Sequence, residues 1–222
     1  MNIISKLFRF IMTKGEQKFT NSISYWEDRY KSGSNSGGGS YGRLALFKAK
    51  IINKFLEENN IVEVLELGCG DGNQLQLLNC KKYYGFDVSK TIINSNIEKF
   101  KTDNSKSFIY YDPKLFCDSA GMVKVDLALS LDVIYHLVEN NYFELYMNHL
   151  FAFSNKFVLI YSTNEDTPQI NHEKNRNFEK WINENIVGWK LINKIENEFP
   201  FNPTNINETS NAQFFVYQKI KL

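Results

Sequence analysis

The sequence predicts an α/β domain built on a mainly parallel sheet with helices on both faces. Three observations predict it. Strand-like apolar runs alternate with helix-like ones between Val62 and Thr163, the pattern of strand–helix–strand units. The stretch VLELGCGDGNQL, residues 64–75, leads an apolar strand into three glycines, Gly68, Gly70 and Gly72. Two further strand-like runs, 188–196 and 212–220, follow one another with only a proline-containing loop between them, which places an antiparallel pair at the end of the sheet.

Taken in order, residues 16–30 read as a helix, ended by the polar, glycine-rich stretch KSGSNSGGGSYG at 31–42. Leu44, Phe47, Ile51, Ile52, Phe55 and Leu56 fall at helical spacing along one face. The first strand follows at 62–67, then the glycine turn, then a short helix through Leu78. A second strand covers 83–86, and Ser89 is the N-cap of a helix carrying Ile92, Ile93, Ile97 and Phe100. Residues 107–112 form a third strand. A fourth lies within 125–137, with Asp132 just past its end. A helix at 139–151 precedes the fifth strand at 156–163; a polar loop, a helix at 176–185 and the terminal strand pair complete the chain. The expected organisation is an N-terminal helical segment with its glycine-rich loop, 1–42, serving as a lid, followed by one domain, 43–222.

Composition narrows the function classes. The chain has 222 residues, 43% of them hydrophobic and 15% aromatic, enough for a real core and unlike a disordered chain. A net charge of +1 gives no electrostatic support for nucleic-acid binding. Cys69, Cys80 and Cys117 fit no zinc spacing and read as reduced thiols of a cytoplasmic protein. Lys6 and Arg9 interrupt the apolar N-terminal run, and no small-residue cleavage site follows, so neither a secretory signal nor a stable membrane insertion is expected. No carboxylate–histidine cluster has ligand spacing, so no metal is expected.

The glycine turn carries the chemistry. Glycines at this spacing let the chain turn sharply and let a ligand lie against bare main chain, with the next helix aiming its amides at it. Nineteen residues beyond Gly68 stands Asp87, in YGFDVS, where a second strand would end and offer a carboxylate to a ribose diol. A nucleoside-containing cofactor follows. A dinucleotide-binding dehydrogenase is the rival, but its third glycine lies three positions beyond the second. Here Gly72 lies two beyond Gly70, and position 73 is Asn.

Glu66, the three glycines, Asp87 and the LDVIYHL turn at 131–137 together resemble a class I S-adenosylmethionine-dependent methyltransferase over 62–163. The upstream segment, YWEDRY with GGGSYGRLALFKAK, is also similar to small bacterial methyltransferases of polysaccharide and capsule modification. The resemblance implies a Rossmann-like, doubly wound seven-stranded sheet whose last strand is antiparallel, with S-adenosyl-L-methionine as cofactor. It implies that Gly68, Cys69, Gly70 and Gly72 bring main chain close to the cofactor, and that Asp87 accepts from both ribose hydroxyls. Val88 would pack on adenine and Asp112 bond its amino group. Leu131, Asp132 and Val133 would line the methionine side, with Glu66 behind them or on the amino group. No NPPY-like run follows the fourth strand; LDVI stands there.

Methyl transfer from a sulfonium is an in-line displacement, so the protein must chiefly position the acceptor and exclude water, worth about 7–11 kcal/mol. A base on a hydroxyl acceptor adds about 10²–10⁴-fold. His136, just past the fourth strand, is the candidate base, the alternative being a packing role beside the next helix. His149, inside a helix, is structural. His172 and Arg176 form a candidate acceptor clasp with Tyr135. Trp26 and Arg29 belong to an aromatic–basic cluster with Tyr25 and Tyr30; if that helix folds over the site, Arg29 reaches the cofactor's carboxylate. The expected acceptor is a small molecule or a saccharide, methylated on oxygen. A non-catalytic cofactor-binding protein of the same fold is the other alternative.

Overall fold

The computed structural model describes residues 19–220. Helix α1 (Ser22–Lys31) starts where Asn21 caps it by accepting from the Ser24 amide at 2.8 Å. The N-terminal apolar run and the first turn of the helix expected at 16–30 lie outside the described residues. After α1 come α2 (Gly42–Glu58), β1 (Glu63–Leu67), β2 (Lys82–Asp87), α3 (Lys90–Lys99), β3 (Lys106–Tyr110) and β4 (Val125–Leu131). Then follow α4 (Asn140–Ala152), β5 (Ser154–Ser162), α5 (Phe178–Asn185), β6 (Trp189–Ile195) and β7 (Gln213–Lys219). Ser89 caps α3 as expected, its hydroxyl accepting from the Ile92 amide at 3.1 Å.

The strands form one seven-stranded sheet in the order β3-β2-β1-β4-β5-β7-β6. Strands β1 to β5 are parallel, and β7 is antiparallel to both of its neighbours. The terminal hairpin therefore folds back with its second strand inserted beside β5 and its first on the edge. Alternation sends neighbouring residues to opposite faces. Val64, Leu127, Leu129 and Phe214 pack with Phe47, Ile52 and Leu56 of α2. Leu65, Ala128, Val158 and Phe215 pack with Met147, Leu150 and Phe151 of α4 and with Phe178 and Ile182 of α5. Each such fully buried side chain contributes roughly 1.5–3 kcal/mol.

The connection after β1 departs from expectation. No α-helix follows the glycine turn; one 3-10 turn, Leu75–Leu77, takes its place. Returning along the five-residue strand β1, about 16 Å, takes a helix of about 11 residues. The segment 73–81 is too short for that. Asn53 of α2 holds this segment instead, donating to the Leu77 carbonyl at 2.8 Å and accepting from the Asn79 amide at 2.8 Å.

Helix α1 belongs to neither layer. It lies over the carboxyl ends of the strands, fastened at two points. Ser22 donates to Glu139, from its amide at 3.0 Å and its hydroxyl at 2.7 Å. The Glu27 carboxylate accepts from Ser89 Oγ at 2.5 Å and Thr91 Oγ1 at 2.9 Å. Burial pushes the Glu27 pKa up, but the bonds from Ser89 and Thr91 outweigh it and hold this carboxyl at about 2.

Candidate active site

Two joined cavities open beneath α1. The first, about 910 Å³ with its mouth, lies at the ends of β1, β2 and β4. The second, about 870 Å³, lies between the glycine-rich loop, the turn after β4 and the loop after β5. Trp26, Asp132 and His136 line both. This is the position where open α/β sheets take ligands.

The glycine turn shapes the first cavity by omission of side chains. Gly68 has φ +86°, and a Cβ there would come within 2.6 Å of Val133 Cγ2. Gly70 has φ +54° and would strike the Ser36 hydroxyl. The amides of Gly68, Cys69 and Gly70 are already partnered. Phe86 O accepts from Gly68 N at 2.7 Å and Cys69 N at 3.0 Å, and Asp87 Oδ2 accepts from Gly70 N at 3.0 Å. With these amides taken and only a 3-10 turn beyond, the turn offers no helix N-terminus to a phosphate. Gly72 has a packing role, since a Cβ there would meet Asn96 and Phe100 of α3 at 2.8 Å.

Four carboxylates stand in a wall that is otherwise largely apolar. Glu66, Asp71, Asp87 and Asp132 line the first cavity, against the cation of Lys48. Burial pushes the Asp87 pKa up to about 6 despite bonds from Ser89 N and Gly70 N. Burial likewise raises Glu66 to about 7, although Tyr83 donates to it at 2.6 Å. Buried carboxyls of raised pKa that face a cavity are poised to accept a cationic or hydroxyl-bearing ligand. Val88, Leu131, Val133 and Cys69 line the same cavity.

Asp112 stands elsewhere. Beyond the end of β3, Tyr111 and Pro113 reach the cavity, while the Asp112 carboxylate closes its own turn by accepting from Lys114 N at 2.9 Å. Tyr111 is braced from behind by His149 Nδ1 at 2.6 Å, which gives His149 the structural role expected of it.

Sequence reasoning missed Lys48. It sits on the apolar stripe of α2 one turn past Leu44, where its type is easily passed over as surface. It is fully buried, with Nζ 2.6 Å from Asp132 Oδ2, while Tyr135 donates to Asp132 Oδ1 at 3.0 Å. Asp132 has φ +58°, a conformation that non-glycine residues hold only when their surroundings enforce it. Ser36 and Asp71 were also missed. Each backbone amide donates to the other's side chain, both at 2.9 Å, which latches the glycine-rich loop onto the glycine turn. Tyr41 adds a third bond to Asp71 at 2.8 Å.

Of the lid residues, Trp26 covers both cavities. Arg29 lines only the second, its Nε donating to Asn35 O at 2.7 Å, so it does not reach the cofactor side. Tyr135, His136 and His172 all reach the second cavity. Arg176 does not. It is buried, donating to the Leu137 and Val138 carbonyls and lying over the Phe143 ring at 4.7 Å. The clasp expected of His172 with Arg176 is therefore not formed, because the start of α4 captures the guanidinium.

His136 is flanked by Trp26, Tyr135 and His172. Burial, and then the neighbouring His172, lower its pKa to about 3. It is a neutral hydrogen-bond acceptor at ordinary pH and a weak base. Tertiary folding also brings together a histidine–carboxylate group, His136, His172 and Glu173, with one ligand atom of each within 4.8 Å of the others. His136 lies 36 residues before the adjacent His172 and Glu173 in the chain, which is why spacing gave no sign of it. Among the described residues, no helix is long and apolar enough to cross a membrane.

No protein-family model and no curated protein matches the sequence. Solved structures do match. The N-methyltransferase NodS from Bradyrhizobium japonicum WM9 in complex with S-adenosyl-L-homocysteine aligns with a TM-score of 0.64 at 12% identity, over 91% of this chain and 100% of that one. Magnesium protoporphyrin IX methyltransferase from Synechocystis PCC 6803, with bound SAH, aligns at 0.63 and 14% identity, over 89% and 97%. An S-adenosylmethionine-dependent methyltransferase from Clostridium acetobutylicum ATCC 824 aligns at 0.59 and 14%, over 79% and 92%. Sheet order, the reversed seventh strand and these alignments agree: the chain has the Rossmann-like fold of the S-adenosylmethionine-dependent methyltransferases.

Proposed function

We propose that this chain is a methyltransferase that uses S-adenosyl-L-methionine and methylates an oxygen of a small molecule or saccharide, capsule precursors included. One observation carries the cofactor reading: the first cavity joins a partnered glycine turn to a largely apolar wall that carries the buried carboxyls of Asp87 and Glu66. A dinucleotide brings a pyrophosphate that needs free amides at a helix N-terminus. S-adenosylmethionine brings no phosphate, a cationic sulfonium, an ammonium group and a ribose diol, which suit Asp87 and Glu66. That the neighbours NodS and the protoporphyrin enzyme were crystallised with SAH agrees with this reading.

In this reading Asp87 accepts from the ribose hydroxyls. Val88, with Tyr111 rather than Asp112, bounds the adenine side, and Leu131, Asp132 and Val133 bound the methionine side. Residues 19–42 act as the lid of the proposed N-terminal segment, and the second cavity receives the acceptor. Neutral His136, at the junction, orients the acceptor hydroxyl. The sulfonium methyl is already activated, so placement behind the C–S bond supplies most of the acceleration.

Calorimetry with S-adenosylhomocysteine tests the cofactor. Binding by the native chain and loss of binding in Asp87→Ala are expected; absence of heat with the native chain overturns the reading. Release of S-adenosylhomocysteine on incubation with S-adenosylmethionine and hydroxylated saccharides tests catalysis, and its absence across acceptors would favour a non-catalytic binding protein.

A further inference from the structure

The second cavity brings His136 together with two side chains, His172 and Glu173, that methyl transfer by placement alone does not require. His136 stands on the 3-10 turn Ile134–His136, while His172 and Glu173 stand on the loop after β5. A ring nitrogen of each histidine and a carboxylate oxygen of Glu173 lie within 4.8 Å of one another. His172 Nε2 is 3.7 Å from Glu173 Oε1, close to the roughly 3.4 Å edge of a tetrahedron with ligand bonds of about 2.1 Å.

Two features mark the cluster as built. Nδ1 of His136 and Nδ1 of His172 are both buried with no hydrogen-bond partner. Leaving such an atom unsatisfied costs about 1–3 kcal/mol; His172 faces Glu173 through Nε2, and one imidazole gives an ion one nitrogen, so it is the orphaned Nδ1 of His136 that points to a missing partner in the cluster. Aromatic neighbours also enclose the rings. His136 meets Trp26 edge-on at 4.9 Å and His172 lies on Tyr25 at 4.2 Å; the two imidazoles are 5.2 Å apart and within 7° of parallel, so one ring must turn about its Cβ–Cγ bond for both to aim a nitrogen at one ion. The loop is pinned beside them: Lys174 N donates to Tyr135 O at 2.7 Å, and Ile170 and Glu173 exchange backbone bonds at 2.8 and 3.0 Å. Asp132, the nearby carboxylate, is engaged by Lys48 and Tyr135 and does not compete.

We propose that His136, His172 and Glu173 form a binding site for a divalent first-row transition-metal ion in the acceptor cavity. Two imidazoles and one carboxylate favour zinc, iron, cobalt or manganese over calcium or magnesium, and three protein ligands leave positions open for an acceptor oxygen. The consequence for catalysis rests on the methyltransferase reading above. The ion holds the acceptor hydroxyl at the cavity junction and eases loss of its proton to solvent. The oxygen lone pair then forms the O–C bond to the methyl carbon as the C–S bond breaks, its electron pair staying on sulfur. The acceptor class this selects is a hydroxyl compound, above all a vicinal diol, able to ligate a metal.

The test is calorimetric titration of chelator-treated full-length protein with Zn²⁺ and Mn²⁺, and a visible-absorption titration with Co²⁺. One ion per chain is expected, with d–d bands for cobalt. His172→Ala and Glu173→Gln should each weaken binding by more than about 100-fold, beyond the 10–100-fold typical of residues that merely support ligands. Unchanged circular dichroism verifies that both variants fold. Absence of stoichiometric binding by all three ions, or undiminished binding in both folded variants, overturns the site. S-adenosylhomocysteine titrated into the same metal-free protein reports separately on the cofactor reading, since its binding does not need the ion.

Discussion

Lys48 Nζ lies 2.6 Å from Asp132 Oδ2 where the two cavities meet, with the lysine wholly buried. One partner comes from the middle of α2, the other from the first residue past β4. The pair ties the helix to the strand end, and Tyr135 holds the second carboxylate oxygen.

Removing one member of a buried pair leaves the other charged and uncompensated, at a cost of about 3–5 kcal/mol. Lys48→Met and Asp132→Asn should each lower the midpoint of urea unfolding strongly. The double variant should be more stable than the sum of the two losses implies, with a coupling on the order of 0.5–3 kcal/mol. Additive losses in a double-mutant cycle would show that the two side chains do not act as a pair.

Cofactor affinity should depend on pH through Asp87 and Glu66, which burial raises to about 6 and about 7. The ligand's diol and cationic groups favour the ionised carboxylates, so binding weakens as pH falls from 8 to 5 and protons are released on binding near pH 6. Calorimetry in buffers of different ionisation enthalpy measures that release, and Asp87→Asn should reduce it. Stability of the unliganded chain moves the opposite way. The contribution of these two groups is fully present below their unfolded pKa values and is lost as pH rises through 6 and 7. Glu66→Gln should therefore raise Tm at pH 8 and do little at pH 5. Glu27, held at about 2, contributes stability above its unfolded value near 4.5 that is lost as pH falls towards 2.

The Ser36–Asp71 latch predicts a binding defect without a folding defect. Each bond in it is worth about 1 kcal/mol, and Asp71 receives bonds from Ser36, Tyr41 and Asn73. Asp71→Ala should raise the Kd for S-adenosylhomocysteine roughly tenfold and speed proteolysis at Gly37–Gly39, with Ser36→Ala showing a smaller effect. Unaltered cleavage in Asp71→Ala would mean that the loop is held by other contacts.

Arg176 should behave as part of the scaffold. Its guanidinium bonds the Leu137 and Val138 carbonyls and Asn140 Oδ1. Arg176→Met should lower Tm by several degrees, while KM for the acceptor, measured below the new transition, stays within about twofold. A selective rise in KM with stability intact would return Arg176 to the acceptor site.

The order of strands and helices, the terminal hairpin, the Ser89 cap and the convergence of Gly68, Gly70, Asp87 and Leu131–Val133 were all legible in the chain itself. These features depend on local periodicity, on glycine's access to positive φ and on one topological rule about strand ends. The missing helix after Gly72 follows from connection length, a constraint that appears only once β1 and β2 are paired. Lys48 and Arg176 show the limit most clearly. Local pattern gives a lysine on a helix and an arginine in a loop the same reading whether they face solvent or the interior. Only packing decides which carboxylate or carbonyl stands opposite, because burial and partnership are properties of segments distant in sequence. The same holds for His136, His172 and Glu173. Their types were visible, but their meeting depends on the loop after β5 closing against the turn after β4, a long-range contact that no spacing rule encodes.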